Sequence, residues 1–164
     1  MEKDNAENME NDIKLNLGSG ETNLGGYINV DIRPVANICM DMREYVKTVE
    51  NSSIERILLS HSLEHIPKTD AEILLQECHR IMKLGGILEI ICPDAKWAMR
   101  KYLAEEIDWA HCQHWLHSLW RDESDRHLWI SDDTSLLPMI TQAGFKNLQV
   151  YTGDGNIAVH STKT

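Results

Sequence analysis

Leu15-Asn16-Leu17-Gly18-Ser19-Gly20, followed by Val30-Asp31, is the stretch on which the reading of this chain turns. The apolar run from Ile13 to Leu17 leads straight into two glycines one residue apart, and a second short apolar run ends on an acid. Glycine lets the backbone turn tightly and come close to a ligand, because no Cβ stands in the way. A carboxylate at the tip of the next strand can accept hydrogen bonds from both hydroxyls of a ribose. Strand, glycine turn, strand and acid together describe a nucleoside-cofactor site.

Further strands are expected at Tyr27–Asp31, Ala36–Met40, Ile54–Ser60, Ile87–Cys92, Lys146–Tyr151 and Asn156–His160. The near-continuous apolar character of the Ile54 and Ile87 runs is that of parallel strands covered on both faces. A helix is expected from Asp70 to Lys83. Thr69 and Glu72 make a capping box at its start, Ala71, Leu74, Leu75, Cys78, Ile81 and Met82 one apolar face, and Gly85-Gly86 a C-cap. A second helix is expected from Thr134 to Ala143, with Pro138 near its first turn, and the Trp- and His-rich stretch Ala95–Trp120 reads as helical. Alternating strands and helices imply an α/β sheet with right-handed crossovers. The last two strands are joined only by Thr152-Gly153-Asp154-Gly155, too short for a crossover, so they pair as an antiparallel hairpin. The expected fold is α/β, a Rossmann-like, mostly parallel seven-stranded sheet ending in that hairpin.

With 164 residues, 42% hydrophobic, a single domain over residues 13–164 is expected after an acid-rich, unstructured leader at 1–12. No apolar run reaches the roughly 20 residues of a membrane span. A net charge of −10 argues against nucleic acid as partner, since phosphate binding needs clustered Lys and Arg. The four cysteines form no C-x-x-C pair, which fits a reducing, cytoplasmic compartment.

The nicotinamide fingerprint G-x-G-x-x-G fails at Asn23, and Asp31 arrives only 11 residues after Gly20 where about 20 are needed. A phosphate-binding loop fails for want of a following Lys-Ser/Thr. S-adenosylmethionine has a ribose and an adenine but no pyrophosphate, so the third glycine is dispensable for it.

The segment Leu15–Asp94 resembles the class I S-adenosylmethionine-dependent methyltransferases, above all the small bacterial and archaeal type. The resemblance rests on Leu15-Asn16-Leu17-Gly18-Ser19-Gly20, Gly25-Gly26-Tyr27-Ile28-Asn29-Val30-Asp31 and Ser60-His61-Ser62-Leu63-Glu64-His65-Ile66. Lys83-Leu84-Gly85-Gly86 is similar to the family's L-K-P-G-G, with Leu84 in place of proline. The resemblance implies that Leu17, Gly18, Ser19 and Gly20 line the methionine moiety and that Asp31, with Ile32 beside it, holds the ribose. It implies that Asp41 accepts from the adenine amino group with Met42 against the ring, and that Ser60 and His61 lie near the sulfonium. His61 and His127 are the candidate catalytic imidazoles, since imidazole titrates near neutrality. His65, Asp94 and Trp129 are the candidate acceptor contacts. Glu64 and His65 can equally be a helix entry that binds nothing, and the remaining tryptophans core or lid.

His111, Cys112, His114 and His117 sit at helical spacing, but no second cluster supplies further ligands at a recognised spacing, so no metal is expected. The expected activity is methyl transfer from S-adenosylmethionine to oxygen or nitrogen of a small-molecule or glycan-like acceptor. One feature favours an alternative, a degenerate domain that binds S-adenosylmethionine or S-adenosylhomocysteine without catalysis. Only seven residues, Glu21 to Tyr27, separate Gly20 from Ile28, too few for a crossover helix. The first helix is expected to be shortened or lost, leaving a thin cofactor wall or one completed by a second subunit, as in a homodimer.

Overall fold

Residues 12–118 and 122–164 are described by a computed structural model. The expected leader, Asp12 apart, and the Trp120 end of the Trp-rich stretch lie outside the described residues. Seven strands form one sheet: β1 (Ile13–Leu17), β2 (Ile28–Asp31), β3 (Ile38–Cys39), β4 (Ile54–Ser60), β5 (Met82–Pro93), β6 (Lys146–Gly153) and β7 (Asn156–Thr162). Their order is β3-β2-β1-β4-β5-β7-β6, parallel up to β5 and antiparallel at β5–β7 and β7–β6. The expected hairpin is therefore present, and it turns on Asp154-Gly155, both at positive φ (48° and 83°) as a two-residue turn between right-twisted strands requires.

Five α-helices are described: α1 (Met42–Thr48), α2 (Lys68–Ile81), α3 (Ala95–Leu103), α4 (Trp109–His117) and α5 (Asp133–Gln142). Buried side chains of α1, α2 and α5 share one apolar core with Leu15, Leu17, Val30, Ile57, Leu59, Leu88, Ile90 and Val159. These strand residues alternate along their strands and so point to one face of the sheet. From the opposite face, Arg56, Leu58, Ile87, Glu89, Ile91 and His160 stay half-exposed and none belongs to that core. That asymmetry follows from the short connections, because neither β1–β2 nor β2–β3 carries a helix. In place of the lost helix, buried Asn29 accepts from the Asn16 amide and the Leu24 backbone N–H (2.9 Å each). Its own amide donates to Asn37 (2.8 Å). One side chain thus ties β1, the β1–β2 loop and the approach to β3 together.

Four local expectations change. Helix α2 opens at Lys68 behind Pro67, whose φ of −54° sets the chain on a helical path two residues early, so Thr69 is already inside the helix and caps nothing. The capping box instead opens α5, between Asp132 and Ser135. Gly85-Gly86 is no C-cap: β5 starts at Met82, and Gly85 N–H and Gly86 C=O pair with Lys163 (2.8 and 3.2 Å). Pro138 is the sixth residue of α5 rather than in its first turn, and the Thr134 carbonyl it leaves without a donor belongs to an exposed residue that water can serve. The Trp-rich stretch breaks between α3 and α4, which pack on each other through Ala98, Cys112 and Leu116 as a separate small cluster.

Candidate functional site

Strand order reverses between β1 and β4, and a crevice opens there beyond the carboxyl ends of the strands. The chain leaving β1 turns over β2, with Gly18 and Ser19 N–H donating to the Val30 carbonyl (2.8 and 3.1 Å). Gly18 has a φ of +72°, and a Cβ there would sit 2.4 Å from the Ser62 Cβ. Only glycine lets the β1 turn and the segment after β4 close on each other. The crevice is a cavity of about 580 Å³, within the range of small-molecule sites.

Gly18, Gly20, Asp31, Ile32, Asp41, Met42, His61, His65 and His127 all line it. Asp31 is nearly buried. One of its oxygens accepts from Gly20 N–H (2.8 Å) and the other from Arg33 N–H (2.9 Å), which fixes the carboxylate and leaves lone pairs for further donors. Asp41 caps α1 and accepts from the Arg43 guanidinium at both oxygens (2.6–3.2 Å). Those bonds from Arg43 hold the Asp41 carboxyl below the usual carboxylate range. Arg43 reaches on to Asp70 and shares the cavity wall. The adenine acceptor expected at Asp41 thus comes as an Asp–Arg pair, a partner unsignalled by any motif.

Five residues expected at the site lie outside the lining. Leu17 is core, and Ser19 and Ser60 flank the wall. Asp94 is buried as the N-cap of α3, accepting from Lys96 N–H (2.9 Å). The Trp129 indole N–H donates to the carbonyls of Leu63 and Ile66 (3.2 and 3.1 Å), so it fastens the loop after β4 instead of facing the cavity. Among the described tryptophans it is Trp115 of α4 that lines it, packed edge-on to Trp97 (5.3 Å between ring centroids). Over the cavity, Arg33 bridges Asp31 (3.3 Å), Asp122 (3.3 Å) and Ser124 (2.9 Å), latching the segment around the short helical turn Glu123–Asp125 to the end of β2.

Four histidines line the cavity, and three of them, His61, His65 and His127, stand around Glu64. His61 leaves β4 at a φ of +48°, a conformation rare for a side chain of its size, with its N–H anchored on the Ile91 carbonyl (2.8 Å). Its Nδ1 lies 3.5 Å from Glu64 Oε1. His65 and His127 stack edge to face at 5.0 Å, and burial lowers the His127 pKa, keeping that ring neutral. Glu64 is 1% exposed, and neither of its oxygens has a hydrogen-bond partner. The helix cluster considered for metal does not converge: His111 is exposed and bonded to Asp108 (2.8 Å), and Cys112 is core. The donors that converge among the described residues are Glu64, His65 and His127, within 4.8 Å of one another. Their signal in the sequence was faint, because His127 lies 62 positions beyond His65 and only the return of the chain after α4 brings it back.

A family model described as a methyltransferase domain matches residues 19–150. No curated protein matches the chain. Among solved structures, an S-adenosylmethionine-dependent methyltransferase from Archaeoglobus fulgidus superposes with a TM-score of 0.67 at 15% identity, over 92% of this chain and 85% of that one. The Burkholderia thailandensis 1,6-didemethyltoxoflavin-N1-methyltransferase, solved with 1,6-didemethyltoxoflavin and S-adenosylhomocysteine, gives 0.60 at 14%, over 93% and 71%. Human N-acetylserotonin methyltransferase with bound S-adenosylmethionine gives 0.60 at 14%, over 93% and 47%.

Proposed function

Because the chain belongs to the methyltransferase-domain family and S-adenosylmethionine is its cofactor, we propose that it methylates an oxygen or nitrogen of a small-molecule or glycan-like acceptor. The observation that carries this reading is one continuous cavity, with the Gly18–Gly20 turn and Asp31 on one wall and three imidazoles on another. The residues present fit the cofactor. A Cβ at Gly20 would meet nothing within 4 Å, so the turn borders open space, and Asp31 is fixed at the wall with acceptor capacity left over.

When bound, S-adenosylmethionine supplies a methyl group on a sulfonium, activated for in-line displacement. The chain's own contribution is chiefly position, which in such displacements is the largest lever. Asp31 would hold the ribose, and the Asp41–Arg43 pair and Met42 would border the adenine. The Arg33 latch and Trp115 exclude water above them. His61, exposed to the cavity at 45%, is the group placed to take a proton from an acceptor hydroxyl. His127, nearly buried and neutral, is the second imidazole with a free nitrogen.

The acidic balance of the chain supports an acceptor other than nucleic acid. Among the described residues no helix is long and apolar enough to cross a membrane. Four free thiols, three of them buried, support our placing it in the cytoplasm, and the helix-free sheet face supports a homodimer as the state to test. The test is transfer of label from methyl-tritiated S-adenosylmethionine to panels of phenols, amines, saccharides, RNA and DNA. Label in a small hydroxyl or amine compound is expected. Label in nucleic acid alone would overturn the reading, and cofactor binding without turnover would favour a binding domain.

A further inference from the structure

Glu64 presents a physical problem that the methyl-transfer site does not solve. Its carboxylate is buried behind the cavity-lining His61 and His127, beside the buried Cys92 thiol, with neither oxygen in a hydrogen bond, a state that buried charges do not tolerate without a cation or a donor. His61 Nδ1 stands 3.5 Å from Oε1 without forming a hydrogen bond, and the other two imidazoles point their donors elsewhere. His65 Nδ1 faces the Arg126 carbonyl and His127 Nδ1 faces the Leu116 carbonyl, each at 3.2 Å. A carbonyl only accepts, so each Nδ1 carries the proton and each Nε2 keeps its lone pair. The His127 Nε2 lone pair lies 4.0 Å from Glu64 Oε1. One nitrogen from each ring and a carboxylate oxygen converge within 4.8 Å, and each ring is held by a backbone carbonyl. That is the outer support typical of metal-bound histidines.

We propose that Glu64, His65 and His127 bind one divalent transition-metal cation at the acceptor end of the cavity. Two imidazoles and one carboxylate suit Zn²⁺, Mn²⁺, Fe²⁺ or Co²⁺, and not Ca²⁺ or Mg²⁺, which take oxygen. With bonds of about 2.1 Å, tetrahedral donors stand roughly 3.4 Å apart, so closing on the ion needs side-chain movements of about 1 Å. Three protein donors leave at least one coordination position open, and His65 and His127 line the cavity, so that position faces the acceptor. Resting on the methyl-transfer reading, this narrows the acceptor to a compound whose methylated hydroxyl oxygen can itself ligate the ion. The ion would bind that hydroxyl and ease loss of its proton to His61 or water. The oxygen then forms its bond to the methyl carbon as the carbon–sulfur bond breaks and the electron pair stays on sulfur.

The test is a titration of chelator-stripped protein with Co²⁺, followed by visible ligand-field absorption, with S-adenosylmethionine calorimetry on the same samples. One equivalent of Co²⁺ is expected to bind the wild type, at least 100-fold more weakly in Glu64→Gln and His127→Ala, and unchanged in His111→Ala. Retained S-adenosylmethionine binding shows that the variants are folded. If either is not, His65→Ala, at a partly exposed position, gives the same readout. Failure of the wild type to bind one equivalent, or equal affinity in Glu64→Gln and His127→Ala, overturns the cation site. Co²⁺ binding by a wild type that ignores S-adenosylmethionine leaves the cation site standing and removes the methyl-transfer reading.

Discussion

Replacing Gly18 by alanine tests the site's construction without touching a polar group. The new Cβ would stand 2.4 Å from the Ser62 Cβ and 3.2 Å from its Oγ. Carbon atoms in packed interiors sit 3.5–4.0 Å apart, so Ser62 must retreat by about 1 Å. It cannot do so by rotating, because the clash is with its Cβ. Its backbone is held through His61 N–H on Ile91 and His65 N–H on the Ser62 carbonyl (2.8 and 3.2 Å). The left-handed φ of +72° adds roughly 1–2 kcal/mol for any residue with a Cβ. Overpacking adds about 1–3 kcal/mol. The sum, roughly 2–5 kcal/mol, is a large fraction of a stability of about 5–15 kcal/mol. At about 2–4 °C per kcal/mol for a chain this size, Tm falls by roughly 5–20 °C. Gly20→Ala is the control. Its φ of +60° carries the same conformational cost, but nothing lies within 4 Å of the added Cβ. Scanning calorimetry of the ligand-free proteins separates the two. If Gly18→Ala melts no lower than Gly20→Ala, the Gly18–Ser62 contact does not close the cavity as argued.

Asp31→Ala removes the acceptor expected to hold the ribose and frees Gly20 N–H and Arg33; with charge-assisted bonds at about 1.5–3 kcal/mol, S-adenosylmethionine affinity drops at least ~10-fold by calorimetry. An unchanged Kd would remove Asp31 from the site. Arg33→Ala opens the latch to Asp122 and Ser124 with little loss of stability, because Asp122 is exposed and Asp31 keeps its two backbone N–H donors. Faster amide exchange over residues 122–127 at a nearly constant Tm is the expected signature, and unaltered exchange would exclude a latch. His79, packed against Phe145, has its pKa lowered by burial and by Lys163. The unfolded chain therefore binds its proton first, so stability present above pH 6.5 is lost as pH falls below it. Urea titrations at pH 7.5 and 5.5 should show this loss, reduced in His79→Gln; an equal loss in the variant would assign it to other groups.

Local rules read most of the fold. Strands β4 and β5 carry apolar runs rich in isoleucine and leucine, and the hairpin is dictated by a link too short for anything else. The seven-residue gap after Gly20 left no room for a helix, and none is there. Rules failed where two signals compete within one turn. Pro67 outruns the Thr69 capping box, and the pairing of Gly85-Gly86 with Lys163, some 77 residues away, outweighs a local C-cap. On the cofactor side, Gly18, Gly20, Asp31, Asp41 and Met42 were legible because each sits at or beside a strand end, and strand ends in such a sheet face the ligand.

What the sequence alone determined is therefore the α/β sheet, its hairpin, the missing crossover helix and one wall of the cavity, all set by interactions within a few residues or by strand periodicity. Tertiary structure alone decided which distant side chains meet. It placed Arg33 over the cavity on Asp122, turned Trp129 away to hold the loop after β4, tied Arg43 to Asp70, and carried His127 to a buried Glu64. None of these has a fixed spacing, because each depends on where a long connection returns. Burial, which makes an unpartnered carboxylate costly, exists only once the chain has closed around it.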